Sequence, residues 1–346
     1  MTILIKYACG VDMASKKFDV CLTSLDIELN TKIKGTKKFD NTASGIKAFY
    51  EWLQKKCKST GTPVYILVEA TGVYHEELAY SLSAKGANIS VVLPNKAQKH
   101  LQSLGLKSKN DKIDAYGLSL MCAQQKHEEF KPLDPFYYEL KTITRFYQTT
   151  QENITAYKNQ LHALEYGVYS SNKIKSEMKK LISANEKLKD CLVKEMKKLV
   201  NDRPDIKKKI ENILGVKGIG FITVCTIVAE TAEFENFKNI PGLVSSAGFD
   251  VVENTLGKHV GKTKISKRGN SRIRRALHLP SFVVVKYEKR FKVFYDRIFE
   301  RSLKPLKAYV AVQKKMLVLI YTLWKNNQEY NSNIYFQNLE KKVAQN

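Results

Sequence analysis

The sequence predicts an α/β domain at the N-terminus, a helical connector and a mainly α-helical C-terminal domain, on three observations. Three strand-like runs stand close together at the start, short apolar runs then alternate with helical patterns, and beyond about residue 136 the spacing is helical.

Taken in order, Ile3 to Asp12, Lys17 to Ser24 and Thr31 to Phe39 read as strands, and the short Met13–Lys16 link makes the first two a hairpin. Asn41 and Thr42 supply a helix N-cap before Ile46, Phe49, Tyr50 and Leu53 at helical spacing. Val64 to Val68 is almost wholly apolar, as a central strand buried on both faces should be, and it stops at Glu69. A helix over about 74–85, a strand from Ile89 to Leu93 and a helix over about 95–104 follow. Three strands in a meander and then alternating helices and strands make the ribonuclease H-like arrangement. A Rossmann unit would need a glycine-rich turn after its first strand, and the sequence has none there.

Lys107 to Asn110 break the pattern before Asp111 opens another helix, and Pro132 and Pro135 mark a domain edge. Residues 137–201 form a polar helical stretch with Met178, Leu181, Leu188, Leu192 and Leu199 near heptad spacing, read as a helical hairpin or coiled-coil connector. Pro204 ends it. From Ile210 to Glu230 the order is helix, Gly215–Gly220 turn, helix, which resembles a helix-hairpin-helix element whose amides bind phosphate without reading sequence. The expected division is 1–135, 136–203, 204–330 and a tail, 331–346.

A chain of 346 residues is long enough for two domains and a connector. Its formal net charge of +24 favours a polyanionic partner through counterion release and steering, with nucleic acid foremost. The charge is uneven: Gly257 to Arg290 carries eleven Lys and Arg against the single acid Glu288. The six cysteines are scattered without a Cys-x-x-Cys pair or zinc-finger histidines, so a structural zinc site is not expected. No window approaches the roughly 20 apolar residues that span a bilayer, and no signal segment is evident. Free thiols then point to the cytoplasm, in association with the nucleoid.

Metal-assisted phosphodiester chemistry needs carboxylates converging on one point, because two hard cations roughly 4 Å apart must be held there. Asp12 ends the first strand, Glu69 ends the fourth, and Asp111 and Asp114 share one face of a helix. Each acid alone has an ordinary reading: a turn residue, a polar strand end, an N-cap, a first-turn dipole partner. Together, in this strand order on so basic a chain, they read as a metal site. Asp19, mid-strand in the second hairpin arm, and Glu76 and Glu77, at a helix start, are weaker candidates.

The C-terminal half carries a second distinctive stretch, from Gly261 to Leu277, in which a basic, glycine-containing loop runs into an Arg-rich helix start. Lys262, Lys264, Lys267, Arg268, Arg272, Arg274 and Arg275 supply charge to clamp phosphates, with Ser266 and Asn270 as hydrogen-bonding members and Lys217 in the glycine turn as a further contact.

These motifs resemble the DEDD transposases of insertion-sequence family 110, with their Piv-type invertases and bridge-RNA-guided recombinases. The resemblance is carried by Gly-Val-Asp12-Met-Ala-Ser-Lys-Lys, Val-Glu69-Ala-Thr-Gly-Val-Tyr, Lys-Asn-Asp111-Lys-Ile-Asp114-Ala, and the stretch from Ala247-Gly-Phe-Asp250 to Ile265-Ser-Lys-Arg-Gly-Asn270. It implies a RuvC-like domain, a coiled-coil connector and a C-terminal transposase domain. It also implies acids at Asp12, Glu69, Asp111 and Asp114 acting on magnesium, with manganese as the alternative ion. A homodimer or homotetramer, and a structured guide RNA that specifies target and donor DNA, are implied as well.

The resemblance further implies a serine nucleophile before a glycine ahead of the Ile-Ser-Lys motif, and register through Gly248 and Gly257 puts Leu256 at that position. Leucine has no nucleophilic atom. The adjacent Thr255 has a hydroxyl on a stiffer, more hindered β-branched side chain. Three readings stand: a transposase that cleaves and rejoins DNA, a copy that binds nucleic acid without strand transfer, and a RuvC-like nuclease that uses water.

Overall fold

Strand β1 (Leu4–Met13) lies at the centre of a five-stranded sheet, flanked on one side by β2 (Lys17–Asp26) and β3 (Thr31–Asp40) and on the other by β4 (Val64–Glu69) and β5 (Asn88–Val92). Strands β1 to β3 pair antiparallel, whereas β4 joins β1, and β5 joins β4, in parallel. This mixed sheet has the ribonuclease H-like order expected from the meander and alternation. The computed structural model describes residues 3–57, 61–105, 110–169, 171–235, 237–253, 255–256, 259–261 and 263–332. The chain divides into one compact unit up to Pro132 and another from Leu133.

In the first unit, α1 (Ala43–Cys57), α2 (Glu76–Ala84), α3 (Pro94–Ser103) and α4 (Asp111–Gln124) surround the sheet. One core packs Ile46, Phe49 and Leu53 of α1 and Leu78 and Leu82 of α2 against Val11, Val20 and Ile66. Another packs Leu118, Met121 and Cys122 of α4 with Ala97 of α3 against Ala8 and Leu67. Ile66, Leu67 and Val68 are all at most 1% exposed, so β4 is covered on both faces as its unbroken apolar run requires. The break read at Lys107 to Asn110 lies outside the described residues except for Asn110. That residue caps α4, its side chain accepting the Ile113 amide at 3.0 Å.

The approach of α4 to the sheet is set by Gly10 of β1. A Cβ there would stand 2.2 Å from both the Ala115 carbonyl oxygen and the Ser119 nitrogen. These are backbone atoms in a helix interior and cannot swing aside, so the helix rests directly on the strand only because position 10 has no side chain.

The second unit begins with two long helices, α5 (Pro135–Tyr166) and α6 (Asn172–Asn201). Lys158 pairs with Glu186 at 2.7 Å and Lys189 donates to Gln151 at 3.3 Å, so the two helices run antiparallel as a hairpin. The buried face of α6 carries Met178, Ile182, Leu192, Met196 and Val200. Leu181 and Leu188, expected on that face, are 48% and 36% exposed. At 100° per residue they lie about 60 to 80° around the helix from its centre, so apolar spacing near seven located a stripe but not its middle.

Helices α7 (Pro204–Leu214), α8 (Phe221–Thr231), α9 (Ile240–Ser246), α10 (Ser271–Tyr287), α11 (Lys289–Ser302) and α12 (Pro305–Asn326) follow. Phe234, Phe249, Phe291 and Trp324 anchor their core, which also takes in Phe136, Tyr137 and Leu140 of α5 and Met196 and Val200 of α6. Between α9 and α10 the chain forms two small antiparallel pairs, β6 (Val251–Val252) with β9 (Lys264–Ile265), and β7 (Thr255–Leu256) with β8 (His259–Val260).

Five of the six cysteines are buried and free, with Cys191 exposed, consistent with small core residues. No helix among the described residues is long and apolar enough to cross a membrane.

The close approach at Gly10 makes a definite prediction. Gly10→Ala should destabilise the protein by about 3 kcal/mol, the upper end of ordinary overpacking, in denaturant unfolding followed by circular dichroism. Gly220→Ala, where an added Cβ meets nothing within 4 Å, should shift the midpoint little, and equal losses in the two variants would count against the packing account.

Candidate active site and nucleic-acid interface

The register of the sheet lines up one row of charged side chains. Asp12 of β1 is opposite Asp19 of β2, and Asp19 is opposite Lys38 of β3. On the other side, β1 and β4 are in register through Val11 and Val68, so Glu69 follows beside Asp12. Directly opposed residues project from the same face, so Glu69, Asp12, Asp19 and Lys38 form a line across four strands. Helix α4 lies against this sheet, and its first turn carries Asp111 and Asp114. All four expected acids are therefore brought to one end of the first unit.

Asp12 shows the electrostatic consequence. Its carboxyl is pushed up to about 7, first by burial and then by the negative charges of Asp114, Asp111, Glu69 and Asp19. Of those, Asp19 is the acid that sequence reasoning set aside. It is 5% exposed and bound by the Lys38 ammonium at 2.9 Å, with the same nitrogen 3.8 Å from Asp111 Oδ2. Its sequence signal was faint but real: a lone acid within Phe18-Asp-Val-Cys-Leu22, a run that otherwise buries, must carry a partner with it. Glu76 and Glu77 take ordinary positions in the first turn of α2.

Among the described residues no group of three or more His, Cys, Asp or Glu stands close enough to hold a metal ion with its side chains as they are. What the fold supplies is a shared end of the sheet, an all-carboxylate donor set suited to hard divalent cations, and a crowding of negative charge that such a cation would relieve. Asp12, Glu69, Asp111 and Asp114 are the residues that could hold one.

In the second unit the basic stretch separates into fixed and free charges. Asn270 caps α10, accepting the amides of Arg272 and Ile273, and donates its own amide to Glu230 Oε2 at 2.7 Å. Glu230 is buried, its side chain 1% exposed, and Arg145 grips it through two bonds of 2.7 and 3.0 Å. Burial pushes the Glu230 carboxyl up, but the hydrogen bonds from Arg145 and Asn270 outweigh it and hold the group below the usual range. Arg272 reaches the same carboxylate at 3.9 Å, while its buried Nε makes no hydrogen bond. Arg274 donates to the carbonyls of Ala247 and Gly269.

Ser266 donates to Asp250 at 2.6 Å and accepts the Arg268 amide at 3.2 Å, closing a loop in which Gly248 and Gly269 adopt φ of +71° and +156°. At Gly269 a Cβ would fall 2.3 Å from the Ser246 carbonyl oxygen, which explains the glycine. Lys264, Lys267, Arg268 and Arg275 are exposed, Arg275 pairing with Glu152. Thr255 and Leu256 are placed by their backbone in β7, and Lys262 lies outside the described residues.

The glycine turn also departs from an open amide cradle. The Lys217 amide donates to Glu288 Oε1 at 3.0 Å, and Tyr330 binds the other oxygen at 2.8 Å, while the Lys217 side chain is exposed. One amide that a phosphate could have used is already taken.

A transposase family model of the IS110 DEDD type matches residues 9–166, and a model of the transposase IS116/IS110/IS902 family matches residues 210–296. The pilin gene-inverting protein of Moraxella bovis is 23% identical over 331 residues, covering 94% of this chain and 98% of its own, and that of Moraxella lacunata shows the same figures. Among solved structures, Thermus thermophilus RuvC is similar over 36% of this chain and 99% of its own, at 11% identity and TM-score 0.29. RuvC of the same organism in complex with a Holliday junction substrate is similar over 33% and 90%, at 15% identity and TM-score 0.25. With both family models placed on it and a relative matched from end to end, the chain belongs to the IS110-type DEDD transposases and is a DNA transposase or recombinase.

Proposed function

We propose that this protein cleaves and rejoins the DNA of an insertion sequence at the carboxylate end of its first unit, while the exposed cations of its second unit hold nucleic acid. The observation that carries the reading is the convergence of Asp12, Glu69, Asp111 and Asp114, far apart in sequence, on one end of a sheet in a chain of net charge +24. Asp12, Glu69, Asp111 and Asp114 would hold divalent magnesium, or manganese, which when bound polarises the phosphodiester and stabilises the leaving oxygen. Gly10 sets the approach of the helix that delivers two of them. The second unit's exposed Lys264, Lys267 and Arg268 sit on a loop fastened by Asn270 and Glu230, a rigid mount for phosphate contacts.

The partners of this reading are DNA and a structured guide RNA, and the working form is a homodimer or homotetramer in the cytoplasm, at the nucleoid. The antiparallel α5–α6 pair would be its coiled-coil connector, residues 136–203 of a three-part chain with 1–135 and 204–330. The Gly215–Gly220 turn would contribute through the exposed Lys217 side chain. Structured RNA encoded between the element's ends in the DNA flanking the gene would support the RNA partner.

A second reading is favoured by Leu256. In a complete enzyme a hydroxyl oxygen attacks phosphorus, the bond to the leaving sugar oxygen breaks, and the hydroxyl proton passes to that oxygen. Leucine offers nothing for this, so the chain would bind nucleic acid with little or no strand transfer unless Thr255 serves instead.

Three measurements test these readings. With RNA, donor and target DNA and magnesium, recombinant junctions should form, and Asp12→Asn or Glu69→Gln should lower their yield at least 100-fold; equal yields would sink the carboxylate site. A covalent protein–DNA adduct should appear or increase in Leu256→Ser, and adduct in wild type that persists in Thr255→Ala would remove Thr255 as the nucleophile. The double variant Lys267→Ala, Arg268→Ala should flatten the slope of log affinity against log salt by about 2, roughly one for each phosphate no longer neutralised.

A further inference from the structure

Lys38 belongs to none of the motifs, yet it stands at the end of the charged row. Cross-strand register places it beside Asp19, and two distances describe it: 2.9 Å to Asp19 Oδ2 and 3.8 Å to Asp111 Oδ2. The two pairs differ in kind. The Asp19 side chain is only 7% exposed, so it needs the ammonium as a partner and that pair is kept. Asp111 is 67% exposed and its pair is long, the sort of contact that contributes little and exchanges readily. Lys38 itself is 48% exposed, on the edge strand β3.

We propose that Lys38, anchored by Asp19, is a positioning residue of the carboxylate site: a built-in counter-cation that pairs loosely with Asp111 until a divalent ion takes that carboxylate. This rests on the reading of Asp12, Glu69, Asp111 and Asp114 as ion ligands. An ion that engages Asp111 must first draw it away from a positive charge already nearby. The ammonium stays on Asp19, so it continues to oppose the arriving cation at short range. Without Lys38 the ion-free site would gather the five carboxylates of Asp12, Asp19, Glu69, Asp111 and Asp114 with one fewer cation to balance them, and ion binding would relieve more repulsion than in the wild type.

The test is manganese binding to the full-length protein without DNA, read from the electron paramagnetic resonance of free Mn2+. Wild type should bind, and Asp12→Asn should lose that binding. Lys38→Met and Lys38→Gln should bind Mn2+ about fivefold or more tightly than wild type, and Lys38→Arg should return to near the wild-type value. In chelator the thermal midpoint of Lys38→Met should fall below that of wild type, and saturating Mn2+ should close the gap. A merely structural lysine would not tighten ion binding when removed. If Asp12→Asn loses Mn2+ but both uncharged variants bind it no better than wild type, the counter-cation proposal falls and the carboxylate reading stands. If wild type does not bind, or Asp12→Asn binds as well as wild type, the carboxylate reading falls and takes this proposal with it.

Discussion

The close seating of α4 on β1 is the constraint on which the first unit depends. A helix normally keeps its backbone off a sheet because side chains fill the gap. Here a strand position without a side chain admits the helix backbone at van der Waals distance. Two of the acids belong to that helix and two to the strands beneath it. The placing of the carboxylates is therefore coupled to a packing detail on the next turn, and the glycine acts on them without touching them.

The two units treat buried acids in opposite ways. Around Asp12 the sheet collects carboxylates, and among the described residues Lys38 at its edge pairs with Asp19 and Asp111. Around Glu230 two arginines and an asparagine converge on one carboxylate, which spends its charge on fastening a loop. The first arrangement gathers like charges, and the second is internally closed. This contrast separates the two acids, since both are partly withdrawn from solvent.

Much of this was legible in the residues. Three closely spaced strand-like runs and the apolar run at Val64–Val68 located the strands, and the order of elements specified the mixed sheet. The four acids could be named because each falls at an element boundary, where topology alone brings strand ends together. Asp19 and Lys38 were harder, because their meaning lies in cross-strand register and Lys38 looks like its neighbours Lys34 and Lys37 in sequence. The middle of the α6 stripe was missed for a related reason: seven-residue spacing fixes a direction along the helix but not which flank a partner covers. The glycine turn looked open because nothing local announces that Glu288, some seventy residues on, will reach its amide.

The fastening of the basic loop bears on how the chain's charge should be counted. Arg145, Arg272 and Arg274 are cations in composition, but Arg145 binds Glu230, Arg272 lies 3.9 Å from the same carboxylate, and Arg274 donates to the carbonyls of Ala247 and Gly269. Such arginines behave as rivets. They shape the surface on which the exposed cations are displayed, and the part of their charge that faces Glu230 is already balanced. A formal charge of +24 therefore overstates the number of phosphates this protein can grip at once, and the smaller number is set by which cations have no employment inside the fold.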